Sequence, residues 1–285
     1  MATPMLGTLA LDGLDEYGVR WSFQRGHSLY DSAESTASAQ QRARASGGTS
    51  GEAFDRARHD AFQVLIAAPD HASRLAAQDR LKAAACLCLT PFVGPDGRRT
   101  DVRREGAVLF KDETATVTRA SVALLAPDPR RFDPTLSVEV RLPSTSGGLT
   151  WPVAWPVTWT DVTQTGEGSL TNPGNAAGPV RLRLDGPSNP ADPPLVGPVV
   201  THVSSGQRLV FASSLTLAHG EFVTVDMERR EVLAQGIEPR NGWVLRSAAN
   251  FGWAAFQPGA NVWSFTAQAA SASALLTVEA DPAWQ

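Results

Sequence analysis

Apolar and polar residues alternate through much of the chain with the period of two that marks half-buried β-strands. The run "VRLRLD" (180–185) is the plainest case: Val180, Leu182 and Leu184 point one way, Arg181, Arg183 and Asp185 the other. Comparable strand patterns occur in "GVRWSFQ" (18–24), "DAFQVLIAA" (60–68), "TDVRREGAVLFK" (100–111), "TATVTRASVALLA" (114–126) and "LSVEVRL" (136–142). From residue 169 onward the runs recur at roughly ten-residue spacing between Gly and Pro turns, the cadence of a β-sandwich or barrel. "CLCLTPF" reads as one more strand. It carries Cys86 and Cys88 as two small buried thiols, too near in sequence for a relaxed disulfide.

Three stretches break the strand pattern. After Pro69, Asp70 can cap a helix over "HASRLAAQDRLKAAACL", where Ala77, Leu81, Ala84 and Ala85 form one apolar stripe. "DSAESTASAQQRARASGGTSG" (31–51) holds no large apolar residue and predicts a long mobile loop, suited to wrapping around a neighbour. It is no phosphate loop, since no Gly-Lys-Ser/Thr closes it. In "LTWPVAWPVTWT", Trp151, Val153, Trp155, Val157 and Trp159 share one side of an extended chain, with Pro152 and Pro156 on the other. Interleaved valines favour a core or subunit interface for this row; the competing use is stacking on sugar rings. The expected organisation is therefore an N-terminal domain over 1–142, a linker and entry strand over 143–168, and a β-sandwich over 169–285.

Composition narrows the function. A net charge of −4 lacks the concentrated positive charge that nucleic-acid binding needs. No basic start leads into an apolar core as in a secretion signal, and "AAACLCL" is too short to span a bilayer, so the expectation is a soluble protein made in the cytoplasm. His27, His59, His71, His202 and His219 are scattered with no metal-ligand spacing. A Ser213–His219–Asp226 triad can be assembled only on paper, and the acid pairs Asp15-Glu16 and Asp112-Glu113 read as solvated turns. No catalytic, cofactor-binding or metal-binding residue is assigned, and the chain reads as a non-enzyme.

Two Gly/Asn-rich corners read as turns. In "LTNPGNAAGP", Pro173 and Gly174 suit the central positions between Asn172 and Asn175, and no helix N-terminus follows to receive a phosphate. Pro258 and Gly259 mark a second turn in "QPGANVWSF". In order, "LAAQDRLKAAA", "VRREGAVLF", "SVALLAPDPRRFD", "GGLTWPVAWPVTW", "LTNPGNAAGPVRLRLDGP", "PVVTHVSSGQRLVFASSLTLAHGEFVTVDMERREV" and "WAAFQPGANVWSFTA" resemble the distal tail protein family of long-tailed bacteriophages, in its actinobacteriophage form. The resemblance covers about 60–285.

That resemblance implies a mainly β protein: an N-terminal β-barrel-like domain with one helix, and a C-terminal galectin-like β-sandwich. It implies a structural virion protein forming a hexameric ring at the tail tip, with no cofactor. The ring would join the tail tube and tape measure protein to a tail-associated lysin, fibre or other tip protein, and phage DNA would pass through it. Ring contacts are expected on the N-terminal strands and on the 31–51 segment, with Arg130, Arg131, Trp151, Trp155 and Trp159 as interface candidates. The alternative is a carbohydrate-binding adhesion module using the tryptophan-lined surface.

Overall fold

The computed structural model describes residues 2–24, 31–42, 44, 46–146, 162–271 and 273–285. The fold is mainly β, with a single α-helix among the described residues. The chain divides into two compact units, Met1–Asp133 and Pro134–Trp284.

The first unit is built on one antiparallel sheet. Its order runs Leu9–Ala10, Met5–Leu6, Thr90–Val93, Arg99–Arg104, Val117–Ala126, Arg58–Ala67, Arg20–Gln24, Gly13–Leu14. The two long central strands, Arg58–Ala67 and Val117–Ala126, pair over ten residues and alternate in burial at every position of their inner face. Phe62, Val64, Ile66, Ala120, Val122 and Leu124 thereby form the core. The Phe62 and Phe92 rings stack with centroids 5.6 Å apart, although three strand steps separate their strands in the sheet. A flat sheet would hold them about 14 Å apart, so the sheet coils strongly around its core.

The helix, His71–Ala84, starts where Asp70 accepts a hydrogen bond from the Ser73 amide. Ala77, Leu81 and Ala85 are buried as the apolar stripe requires, but Arg74 and Gln78 are buried with them. Both turn inward because the sheet offers polar partners: Arg74 pairs with Asp112 and donates to the Ala115 carbonyl, and Gln78 donates to Asp112 and Thr118. At the other end Arg80 pairs with Asp15 at 2.9 Å and lies over the Tyr17 ring. Asp15 is the organiser of the turn that sequence treats as merely solvated. Its carboxylate accepts from the amides of Tyr17 and Val19 and from the Trp21 indole. Burial pushes that carboxyl up, but these donors outweigh it and hold the group below its usual range.

Three local expectations are corrected. Residues 31–51 are not an unpaired loop: Ser35–Gln41 and Gly48–Asp55 form an antiparallel hairpin with an irregularity between Ala37 and Ala39. Backbone pairing needs no large side chain, so the absence of apolar residues does not exclude strands. Cys86 and Cys88 are disulfide-bonded rather than buried thiols, with Cys86 half-buried and Cys88 exposed. The bond spans the turn that leaves the helix, and the following strand begins only at Thr90. Finally, Leu136–Arg141 pairs along its whole length with Leu275–Ala280 and belongs to the second unit. Its alternation fits either core; only its partner decides.

The second unit packs two antiparallel sheets face to face around one shared core. One sheet runs Leu136–Arg141, Leu275–Ala280, Val180–Asp185, Phe222–Asp226, Glu231–Ala234, Glu238–Pro239. The other runs Glu167–Asn172, Gly259–Ala269, Leu195–His202, Gln207–Val210, with Thr216–Leu217 beside Leu195–His202. Leu182, Leu184, Val223, Val225 and Leu276 from the first sheet meet Leu195, Val200, Trp263 and Phe265 from the second. Segment 143–168 is not a connection between the two units. The chain leaves the second unit along Ser144–Ser146 and returns along Val162–Gln164, and these two pieces pair antiparallel. The tryptophans Trp151, Trp155 and Trp159 fall between them and lie outside the described residues.

Replacing Asp15 by alanine strips three donors and the Arg80 guanidinium of their acceptor at once. The expected loss of stability is about 2–3 kcal/mol in urea unfolding of the full chain. A loss under about 0.5 kcal/mol would show that the turn holds itself without the carboxylate.

Candidate functional site

The hairpin contributes nothing to the core of the first unit. Every residue of both its strands is exposed, including Phe54 at 65%. Its sequence, "STASAQQ" against "GTSGEAFD", has no core of its own, and a two-stranded ribbon in water is marginally stable at best. The ends of the hairpin meet: the Arg56 amide donates to the Glu34 carbonyl at 2.8 Å. The element is therefore an appendage whose sides are presented rather than packed.

Arg130 and Arg131 lie in a charged network on the first unit. At its centre Arg58 and Asp60 form a buried fork, with side chains 5% and 0% exposed and contacts of 2.9–3.1 Å. Arg58 also donates to the Pro129 carbonyl at 2.9 Å, fixing the "DPRRF" turn from below. Burial pushes the Asp60 carboxyl above its usual range despite Arg58 beside it. Arg131 pairs with Asp96 at 3.3 Å, and burial followed by repulsion from Arg58 lowers its pKa. Arg130 pairs with Asp128 at 2.7 Å and lies over the Phe132 ring. Both candidate arginines are thus held in place by their own chain and present only part of each guanidinium.

The two Gly/Asn corners of the second unit are built alike. In the first, buried Asn172 donates through Nδ2 to the carbonyls of Ala176 and Phe256, while its Oδ1 accepts from the Gly174 amide at 2.8 Å. A Cβ on Gly174 would lie 1.9 Å from the Ala283 carbonyl oxygen, and one on Gly178 2.0 Å from that of Asp281. Glycine is required there by close approach of two backbones, with no positive φ involved. In the second corner, after Pro258, Gly259 has φ +93°, a left-handed conformation that favours glycine. Asn261 closes this turn: Nδ2 donates to the carbonyls of Gln257 and Gly259, and Oδ1 accepts from the Gln257 amide.

Those contacts fix the orientation of the Asn261 amide and, with it, a histidine tautomer. Oδ1 of Asn261 also faces His202 Nε2 at 3.0 Å, so Nε2 must carry the proton. Nδ1 is then the acceptor for the Ser205 hydroxyl at 2.7 Å. His202 is 1% exposed and lies 4.5 Å from the Trp263 ring. Burial pushes its pKa down, against the opposing bond to Asn261. Sequence singled out Pro173, Gly174, Pro258 and Gly259, named Asn172 only as a turn flank and His202 only as a scattered histidine, and missed Asn261. An Asn flanking Pro-Gly was the available signal, because its side chain can stand in for a turn hydrogen bond.

The paper triad does not form. His219 Nδ1 faces the Pro187 carbonyl at 3.0 Å, and Asp226 accepts from the Arg229 amide. No group of three or more His, Cys, Asp or Glu among the described residues is placed to hold a metal ion. No helix among them is long and apolar enough to cross a membrane.

No protein-family profile matches the chain, and no curated protein matches it. Solved structures do. The SPP1 Dit (gp 19.1) protein, described as a paradigm of the hub adsorption apparatus in phages infecting Gram-positive hosts, aligns over 90% of this chain and 90% of its own. The TM-score is 0.62 at 11% identity. The phage P2 baseplate in its activated, calcium-bound conformation aligns over 92% and 90%, with TM-score 0.50 and 9% identity. The chain has the fold of a phage tail hub. At 90% coverage the likeness takes in both units.

Two predictions test the corners. Gly174→Ala must move one of two backbones and is expected to cost about 3 kcal/mol, whereas Gly206→Ala, with open space at its Cβ, is expected to cost only its φ penalty of about 1 kcal/mol. Equal losses would refute the close-approach account. For His202 the folded pKa lies below the unfolded value of about 6.5, so its contribution is complete above that pH and is lost as pH falls through the folded value. Melting temperature should drop as pH falls below about 6.5, and the same acid slope in His202→Gln would exclude this histidine as its source.

Proposed function

We propose that this chain is a structural protein of the virion of a long-tailed phage. It assembles as a hexameric ring at the distal end of the tail and joins the tail tube to tail-tip or baseplate proteins. The observation that carries this reading is the 90% mutual coverage with the SPP1 Dit hub, which takes in both units rather than one common β-domain. The ordered motifs of the sequence point the same way. In this reading the first unit forms the ring, and the second, galectin-like unit meets peripheral tip proteins. Tail tube and tape measure proteins contact one face of the ring, and a lysin or fibre protein the other.

The hairpin Ser35–Asp55 is the proposed ring arm, and its occupant is a second copy of this chain. An exposed ribbon gains stability by docking on a neighbour, and head-to-tail contacts between unlike patches close a ring. Arg130 and Arg131 are proposed to sit at the margin of that contact, pre-positioned by Arg58, Asp96 and Asp128. No observation among the described residues favours the alternative of sugar stacking on the tryptophan row.

Native mass spectrometry of the full chain, alone and with its tail neighbours, tests the ring. Six copies are expected, and a protein that stays monomeric at high concentration in both settings would overturn the reading. Because Glu34 and Arg56 already meet, the hairpin can be replaced by a short Gly-Asn turn without stretching the chain. That variant should keep its fold and lose the ring; an unchanged hexamer would remove the arm from the mechanism.

A further inference from the structure

The outer face of the first sheet of the second unit carries a hollow of about 350 Å³. Its floor is a row of paired residues across four strands: Glu279, Arg181, Asp226 and Glu231. The neighbouring row holds Thr277, Arg183, Thr224 and Leu233. A second hollow of about 300 Å³ opens farther along the same strands, lined by Arg141, Asp185, His219, Glu221 and Leu275. Arg181, Arg183 and Asp185 project from one strand to this one face, so the two hollows follow each other over about 13 Å of strand.

The chemistry of the first hollow is selective. Three guanidinium groups (Arg181, Arg183, Arg229) face three carboxylates (Asp226, Glu231, Glu279), so no net charge attracts an ion. Arg181 lies 3.2 Å from Asp281 and 3.8 Å from Glu279, Arg183 lies 2.9 Å from Asp185, and Arg229 lies 3.8 Å from Asp226. The outward lining is polar apart from Leu233, which disfavours an apolar ligand. Arg183 places its guanidinium carbon 3.8 Å from the Phe222 ring centroid and is tied to Asp185, while its side chain remains 48% exposed. A fixed planar donor beside carboxylate and threonine oxygens matches the vicinal hydroxyls of a sugar, which accept and donate in turn.

We propose that this face binds a neutral, polyhydroxylated chain, an oligosaccharide of several units, with Arg181 and Arg183 gripping it in the first hollow and Asp185 and Arg141 in the second. The proposal uses none of the tryptophans of the 151–159 row, and it does not depend on ring assembly.

The test uses the full chain on an array of neutral gluco-, galacto-, manno- and N-acetylglucosamine hexaoses, with one sulfated oligosaccharide as the anionic probe, followed by titration calorimetry. Binding of at least one neutral hexaose is expected, nearly independent of salt. It should weaken at least tenfold in Arg183→Ala and in Thr224→Trp. The second variant fills the hollow from the outward side of its strand, between inward-facing Val223 and Val225, and unchanged melting of both variants would exclude unfolding as the cause. No neutral binder, binding that survives both variants, or binding only of the sulfated probe with steep salt dependence would each overturn the proposal. Protection of these residues on contact with another protein, without a glycan response, would also overturn it and assign the face to that partner. None of those results bears on the hexamer measurement, so the tail-hub reading stands or falls separately.

Discussion

The second unit depends on one close approach of backbone to backbone. Residues 173–178 run so near to 281–283 that neither Gly174 nor Gly178 has room for a single added carbon. The contact is stitched by bridges from Ala176 to Ala283 and from Gly178 to Phe256, and Asn172 ties the same knot from within. It decides where Val180–Asp185 enters its sheet, and so which of its residues face the core. Asp281, leaving the neighbouring strand, then reaches both Thr135 and Arg181, so entry, exit and first strand of the unit share one anchor.

The first unit solves a different problem. Its sheet must coil enough to bring Phe62 onto Phe92, and the helix closes the structure with a polar half, Arg74 and Gln78, as well as an apolar half. Polar burial of this kind stabilises only if every group is answered, and Asp112, Thr118 and the Ala115 carbonyl answer here. Beside this core the unit extends a hairpin rich in Ser, Thr, Ala and Gly, with Phe54 as its one large apolar residue. Core and appendage are distinguished by composition before they are distinguished by shape.

That division explains what could be read from sequence. Strands with one buried face were legible, since Phe62, Val64 and Ile66 leave a period-two imprint, and Asp70 announced the helix. The hairpin left no imprint because neither face of Ser35–Gln41 is buried. The allegiance of Leu136–Arg141 was hidden because an alternating strand fits any sheet until its partner is known. The disulfide between Cys86 and Cys88 was missed because spacing was weighed as if the residues were in a strand, whereas they lie in a turn. Of the corner residues, the glycines and prolines were visible as turn formers. The asparagines were signalled only as turn neighbours; their contacts, and those of His202, reach up to 84 positions along the chain and become visible only once it is folded.

The ribbon of Ser144–Ser146 and Val162–Gln164 has a consequence for chain length. The chain leaves and re-enters the same unit through paired backbone, so the ends of the intervening segment are held together there. Doubling the length of such a closed segment costs only about 0.6 kcal/mol in chain entropy. The position therefore works as a socket. A change in the length of what lies between its two strands is expected to cost the unit little.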